Sequence, residues 1–129
     1  MTAKVVVVED NPMNMKLLEQ ALGIAGYATL RSPDGENITD MVAGSDARLV
    51  LMDIQLPRVS GIDLMKRLKA DPRTQAVPVL AVTAFADMES VSSFRREGFD
   101  DVITKPISIR KLLEEVLKYC GPGDTSQPS

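Results

Sequence analysis

Short unbroken apolar runs alternate along this chain with longer stretches in which apolar residues recur at helical spacing. Val5-Val6-Val7-Val8 is a continuous β-branched run, the pattern of a strand covered on both faces. Asn11-Pro12 follows, a capping residue and then a proline at the first helical position. Leu18, Ala21, Leu22 and Ala25 recur at helical spacing until Gly26 stops the helix. Residues 27–30 read as a short strand and 34–43 as a weak helix carrying Ile38, Met41 and Val42. Leu49-Val50-Leu51-Met52 is a second continuous run. Ser60 can cap a helix bearing Leu64, Met65 and Leu68, which Pro72 keeps from extending. Residues 77–82 repeat the buried-strand pattern. Met88 and Val91 lie on a poorly amphipathic helix that ends at Gly98, and Val102-Ile103-Thr104 is a last short strand. Ser108 caps a helix whose Ile109, Leu112, Leu113, Val116 and Leu117 form an apolar stripe.

The order is β-α five times over. Short connections between strands buried on both faces predict a parallel sheet with helices on either side. The expected architecture is a single-domain, doubly wound (βα)5 flavodoxin-like α/β fold with strand order 2-1-3-4-5. Residues 1–120 form the domain on this reading, and 121–129, rich in Gly, Pro, Ser and Asp, form a floppy tail.

In such sheets ligands bind beyond the carboxyl ends of the strands, beside the switch point between strands 1 and 3. Strand 1 ends in Glu9-Asp10, strand 3 in Asp53, strand 4 in Thr83 and strand 5 in Lys105-Pro106. Each alone is weak; Glu9-Asp10, for instance, suits a solvated turn or a helix N-terminus. Together they bring three carboxylates, one hydroxyl and one ammonium to one sheet edge. Two like charges ~4 Å apart repel by ~1 kcal/mol in water and ~4 kcal/mol at an effective dielectric of ~20. Lys105 offsets one charge. A hard divalent cation offsets the rest, and an open oxygen site suits Mg²⁺, or Mn²⁺, with several waters retained. A carboxylate beside such an ion and a lysine can attack a phosphoryl group and form an acyl phosphate. The ion, Lys105, and the Thr83 hydroxyl with a loop N–H then face the three equatorial oxygens.

Composition narrows the chemistry. Among 129 residues there is no histidine, which excludes His-metal sites, Ser-His-Asp triads and His general bases. Any phosphohistidine must come from a second protein. With 15 Lys+Arg against 18 Asp+Glu, a net charge of −3 offers no basic patch for direct nucleic-acid binding. One cysteine, Cys120, cannot form an internal disulfide and reads as a packing residue in a reducing compartment. No run approaches the ~18 apolar residues of a membrane span and no cleavage-site pattern follows the N-terminus, so a cytoplasmic location without membrane insertion is expected.

The motifs VVVVEDN (5–11), LVLMDIQLP..SG (49–61), VLAVTA (79–84) and ITKPIS (103–108) resemble the receiver (CheY-like) domains of bacterial two-component signalling over residues 4–117. The resemblance implies Asp53 as phosphoacceptor. It implies Glu9, Asp10, Asp53 and the backbone carbonyl of Gln55 as metal ligands, Glu9 more indirectly than Asp10. Thr83 and Ala84 would stabilise the phosphoryl group, and Lys105 would pair with it. Pro57 and Gly61 match the loop after the acceptor, Gly61 supplying either a special backbone conformation or a close approach. Pro106 would shape the loop beyond Lys105. A histidine kinase or His-phosphotransfer protein is the implied donor, and a downstream kinase or other protein the implied target. One departure stands out. Many receivers carry Tyr or Phe three residues before the lysine, a ring that moves with the Thr. Here the residue is Val102. Phe85 and Phe99 are the candidate substitutes, and activation is expected in the loop after Thr83 and the helix near 87–97.

The reading is of a single-domain signalling protein, not an enzyme, since no output domain is expected after Leu117. Its rivals use the same fold or chemistry. A haloacid-dehalogenase-type phosphatase places its nucleophile after strand 1 with a second Asp two residues on, whereas Asp53 follows strand 3 and is followed at that spacing by Gln55. A flavodoxin cradles phosphate with hydroxyl-rich loops, whereas Glu9-Asp10 would repel it. An unphosphorylated interaction module would have no need of the complete acceptor set.

Overall fold

The computed structural model describes residues 3–122. Five strands and five helices alternate: β1 Lys4–Val8, α1 Pro12–Ile24, β2 Ala28–Ser32, α2 Ile38–Ser45, β3 Leu49–Asp53, α3 Gly61–Ala70, β4 Val79–Thr83, α4 Met88–Glu97, β5 Asp101–Thr104 and α5 Ile109–Cys120. Among the described residues the strands form one parallel sheet in the order β2-β1-β3-β4-β5, as the apolar pattern predicts.

The unbroken runs follow from a core on each face. Val5 and Val7 point into one cluster with Leu49, Leu51, Leu80 and Val82, closed by α1 and α5. Val6 and Val8 point into the other with Val50, Met52, Val79 and Ala81, closed by α2, α3 and α4. Alternating side chains therefore all need to be apolar. Burying each valine or leucine stabilises the fold by roughly 1.5–3 kcal/mol.

Several boundaries differ from the sequence expectation. Residues 34–43 are not one helix, because turn chemistry prevails over the apolar pattern. The Ser32 hydroxyl accepts the Gly35 N–H and the Asp34 carboxylate accepts the Glu36 N–H, while Asn37 is left-handed at φ 54°. α2 starts only at Ile38. β2 starts at Ala28, since the Tyr27 N–H is committed to the Leu22 carbonyl closing α1. β4 starts at Val79, because the Val77 N–H bonds Thr74 in the preceding turn.

The stripe on one helix is also corrected, and the anchor of another is identified. On α5 the buried line is Leu112, Val116 and Cys120, at successive i,i+4 steps, and Leu117 lies about 100° around the helix in solvent. On α4 Met88 is exposed and Phe94 is the buried anchor. Beyond α5 the Gly121 carbonyl accepts the Tyr27 hydroxyl at 2.6 Å, so this first residue of the expected tail is tied to the domain. Residues 123–129 lie outside the described residues.

Candidate functional site

The parallel register lines up the carboxyl ends of β1, β3, β4 and β5. Glu9 continues β1 by donating its N–H to the Ser32 carbonyl, and its side chain is buried. Asn11 turns the chain into α1: its side chain accepts the Met13 and Asn14 N–H groups, and its own N–H donates to Glu9 Oε2 at 3.1 Å. Asp10, between them, faces solvent. Asp53 closes β3 and is buried. Its Oδ1 accepts the Gln55 N–H at 2.9 Å, and its Oδ2 accepts from Lys105 Nζ at 3.3 Å. The same ammonium lies 3.6 Å from Glu9 Oε1.

Lys105 reaches this point because β5 pairs with β4. Thr83 lies opposite Thr104, and the next N–H, that of Lys105, bonds the Thr83 carbonyl at 2.7 Å. The Lys105–Pro106 peptide is cis. Thr83 is buried at the end of β4 and its hydroxyl accepts the Phe85 N–H at 3.0 Å, a contact within its own loop. Ala84, Pro57 and Pro106 are exposed around the rim.

Gly61 shows why a side chain is excluded at the first position of α3. Its N–H donates to the Ile54 carbonyl at 3.1 Å, and Gln55 and Ser60 form an isolated antiparallel bridge. A Cβ on Gly61 would overlap the Asp53 carbonyl oxygen and lie 3.0 Å from both the Asp53 carbonyl carbon and Ile54 Cα. Of the two expected reasons for this glycine, close backbone approach is the one present.

Glu9, Asp10 and Asp53 each offer a carboxylate oxygen within 4.8 Å of the others. Glu9 Oε1 is buried and accepts no hydrogen bond among the described residues. Ionising this buried carboxyl beside two further carboxylates is costly, and a cation relieves that cost. The donors are all oxygen, and the exposed Asp10 leaves one side open to water, which suits Mg²⁺ better than a closed cage would.

Burial, reinforced by the Asp53 charge and opposed by the Asn11 N–H and Lys105, pushes the Glu9 carboxyl up to about 7. In the metal-free chain Glu9 thus keeps its proton where an unfolded glutamate has lost it. Its contribution to stability is complete below about 4.5 and is lost as pH rises through about 7. With no histidine to titrate in that window, the metal-free chain should lose on the order of 1–3 kcal/mol between pH 5 and 8. Glu9→Gln should flatten the slope; urea unfolding at both pH values checks it.

The sequence-derived residues Glu9, Asp10, Asp53, Gln55 and Lys105 thus come together, and Thr83 stands on the neighbouring strand. Neither aromatic candidate takes the place of a ring at Val102. Phe99 is buried edge-on to Phe94 with centroids 6.2 Å apart, and Phe85 lies exposed in the loop after Thr83. A carboxylate absent from the sequence reading is Asp101, which joins β5 to α4 and α5. Its sequence signal, an acidic residue before a strand a few positions after Arg95, is too common to stand out.

Residues 5–117 match the response regulator receiver domain family. The polar-differentiation response regulator DivK of Brucella ovis is 41% identical over 121 residues, covering 94% of this chain and 98% of the relative. DivK of Brucella anthropi is 40% identical over the same span. Among solved structures, the receiver domain of the sensor histidine kinase PA1611 of Pseudomonas aeruginosa superposes with a TM-score of 0.84 at 26% identity. It covers 94% of this chain and 99% of its own, and carries a magnesium ion coordinated in its active-site cleft. The chain belongs to the response-regulator receiver family.

Proposed function

We propose that this chain is a response-regulator receiver that takes a phosphoryl group onto Asp53 from a partner's phosphohistidine and thereby changes its protein contacts. The observation that carries this is the setting of Asp53. It is buried at a strand end, its two oxygens are oriented by the Gln55 N–H and Lys105, and two more carboxylates lie within ion-sharing distance.

An Asp53 oxygen attacks phosphorus in line. The new O–P bond forms as the donor's P–N bond breaks, and the partner imidazole leaves with that electron pair. The donor is external because the chain has no histidine. Glu9, Asp10, Asp53 and the Gln55 carbonyl would hold Mg²⁺, or Mn²⁺; when bound, it neutralises charge on the carboxylates and on the transferring group. Lys105, already between Asp53 and Glu9, pairs with a second phosphoryl oxygen. The Thr83 hydroxyl leaves the Phe85 N–H and, with the Ala84 N–H, meets the third. Pro57, Gly61 and Pro106 shape the loops that carry these groups. Receiver domains are signalling modules, and Gln55 supports that reading over the phosphatase alternative: at that spacing stands a backbone N–H donor to Asp53, with no carboxyl to activate water.

Residues 1–120 constitute the receiver unit on this reading, with 121–129 as its tail. No helix among the described residues is long and apolar enough to cross a membrane. Together with the family, this supports a cytoplasmic protein. Its partners are a histidine kinase or His-phosphotransfer protein upstream and a kinase or other protein downstream, without direct nucleic-acid contact.

The test is incubation with a small acyl-phosphate donor and Mg²⁺, read by intact mass. One phosphoryl group per chain is expected, lost when the metal is chelated; absence of labelling with metal present overturns the reading. Lys105→Met should keep Mg²⁺ binding yet lose most of the spectral change that beryllofluoride produces at residues 83–97 in the wild type. A response equal to wild type would remove Lys105 from the switch.

A further inference from the structure

α4 is held to the molecule by little apolar surface. Among its described residues Phe94 alone is buried, and Met88 is 87% exposed. Two ion pairs supplement that anchor. Glu97 reaches Lys66 of α3 at 2.8 Å, and Arg95 Nη2 reaches Asp101 Oδ1, at the start of β5, also at 2.8 Å. They are not equivalent. The Lys66 and Glu97 side chains are 56% and 38% exposed, a setting in which ion pairs contribute little. Arg95 is as exposed as Lys66, at 57%, but the Asp101 side chain is only 14% exposed, so Arg95 meets a carboxylate that has already lost most of its water.

Asp101 also faces α5. Lys118 Nζ lies 3.8 Å from its Oδ2, and the Glu115 carboxyl lies against it in hydrogen-bonding contact. Burial pushes the Asp101 carboxyl up, but the Val102 N–H, Arg95 and the Glu115 carboxyl outweigh it and hold the group below the ordinary aspartate range. Burial and the Asp101 carboxylate push Glu115 up. One carboxylate thereby joins three elements: α4 through Arg95, β5 through its own backbone, and α5 through Lys118. Arg95, Asp101 and Glu115 border a cavity of about 500 Å³ whose wall includes Val102, Lys111 and Glu114.

We propose that Asp101 is the latch that fixes α4 against β5 and α5 in the unphosphorylated chain, and that α4 moves by releasing the Arg95–Asp101 pair. The second half rests on the phosphoryl-switch reading above; the first does not. α4 is the natural element to be released, since its own burial is too small to hold it once the pair opens.

Hydrogen exchange on the unphosphorylated chain tests the latch without any phosphoryl chemistry. Asp101→Asn preserves side-chain volume, and Arg95→Gln removes the partner. Each should speed amide exchange in α4 by roughly three- to tenfold while leaving β1 and β3 unchanged, and the double variant should exceed neither single by much. Unchanged α4 exchange in both single variants, or fully additive effects, overturns the latch. With beryllofluoride and Mg²⁺, α4 exchange should rise in the wild type and change little further in Asp101→Asn. If the two variants loosen α4 but the wild type is never labelled on Asp53, the latch stands and the phosphoryl reading falls; if labelling occurs but α4 in Asp101→Asn exchanges as in wild type, the reverse holds.

Discussion

Asp53→Asn should yield a folded protein that takes no phosphoryl group from an acyl-phosphate donor under conditions that label the wild type completely. The substitution keeps the shape of the side chain and its acceptor for the Gln55 N–H, which lies 2.9 Å from Oδ1. It removes the anionic oxygen that would attack phosphorus, and a neutral carboxamide is a very poor nucleophile. The charge balance moves the other way. In the metal-free site Lys105 lies near both Glu9 and Asp53, and Asp10 adds a third carboxylate within reach of the other two. Above about pH 7, where Glu9 is ionised as well, removing one carboxylate relieves a repulsion worth about 1–4 kcal/mol per close pair, discounted by the lost attraction to Lys105. A net gain on the order of 1 kcal/mol in metal-free stability should therefore accompany the total loss of labelling, together with weaker Mg²⁺ binding. Intact mass spectrometry reads the first effect and urea unfolding with and without Mg²⁺ reads the second. Labelling of the variant at the wild-type level would place the acceptor elsewhere; a loss of stability without metal would mean the carboxylates are not strained against one another.

What the sequence made legible, and what it did not, divides along physical lines. The sheet was readable because strands buried on both faces admit almost no polar residue, so Val5–Val8 and Leu49–Met52 announce themselves. The site was readable because strand ends in a doubly wound sheet converge by topology alone, and Glu9, Asp10, Asp53, Thr83 and Lys105 occupy those ends. Residues 34–37 misled because local Ser, Asp and Asn bonds override a sparse apolar pattern. Leu117 misled because an apolar residue is free to lie in solvent, and spacing does not say which edge of a stripe faces the core. Asp101 was invisible for a different reason. Its importance comes from Arg95 and Lys118, on helices to either side of it in sequence, and pairing across elements leaves no local pattern.

Gly61→Ala should be the most disruptive conservative change near the site. On helix propensity alone it should stabilise, since alanine at a helical position outranks glycine by about 1 kcal/mol. Backbone sterics oppose this. The added Cβ would overlap the Asp53 carbonyl oxygen and press on the Asp53 carbonyl carbon and Ile54 Cα, each at 3.0 Å. Those atoms are main chain and cannot rotate aside as a side chain can. Relief requires α3 to back away, which stretches the Gly61–Ile54 hydrogen bond and the Gln55–Ser60 bridge. Overpacking against backbone typically costs ~1–3 kcal/mol and sometimes more, so the clash exceeds the propensity gain. The loop that would shift carries Gln55, whose N–H orients Asp53 Oδ1 and whose carbonyl is assigned to the metal. Net destabilisation of roughly 1–3 kcal/mol should therefore come with at least about a tenfold loss of Mg²⁺ affinity. Gly44→Ala, in the exposed part of α2, supplies the control. A Cβ there meets no atom within 4 Å, so the same chemical change should stabilise by about 0.5–1 kcal/mol and leave Mg²⁺ binding untouched. Urea unfolding and calorimetric Mg²⁺ titration of the two variants side by side separate the effects. If both alanines raise stability and both proteins bind Mg²⁺ as the wild type does, the close approach of α3 to the Asp53 backbone is not what holds the acceptor loop in place.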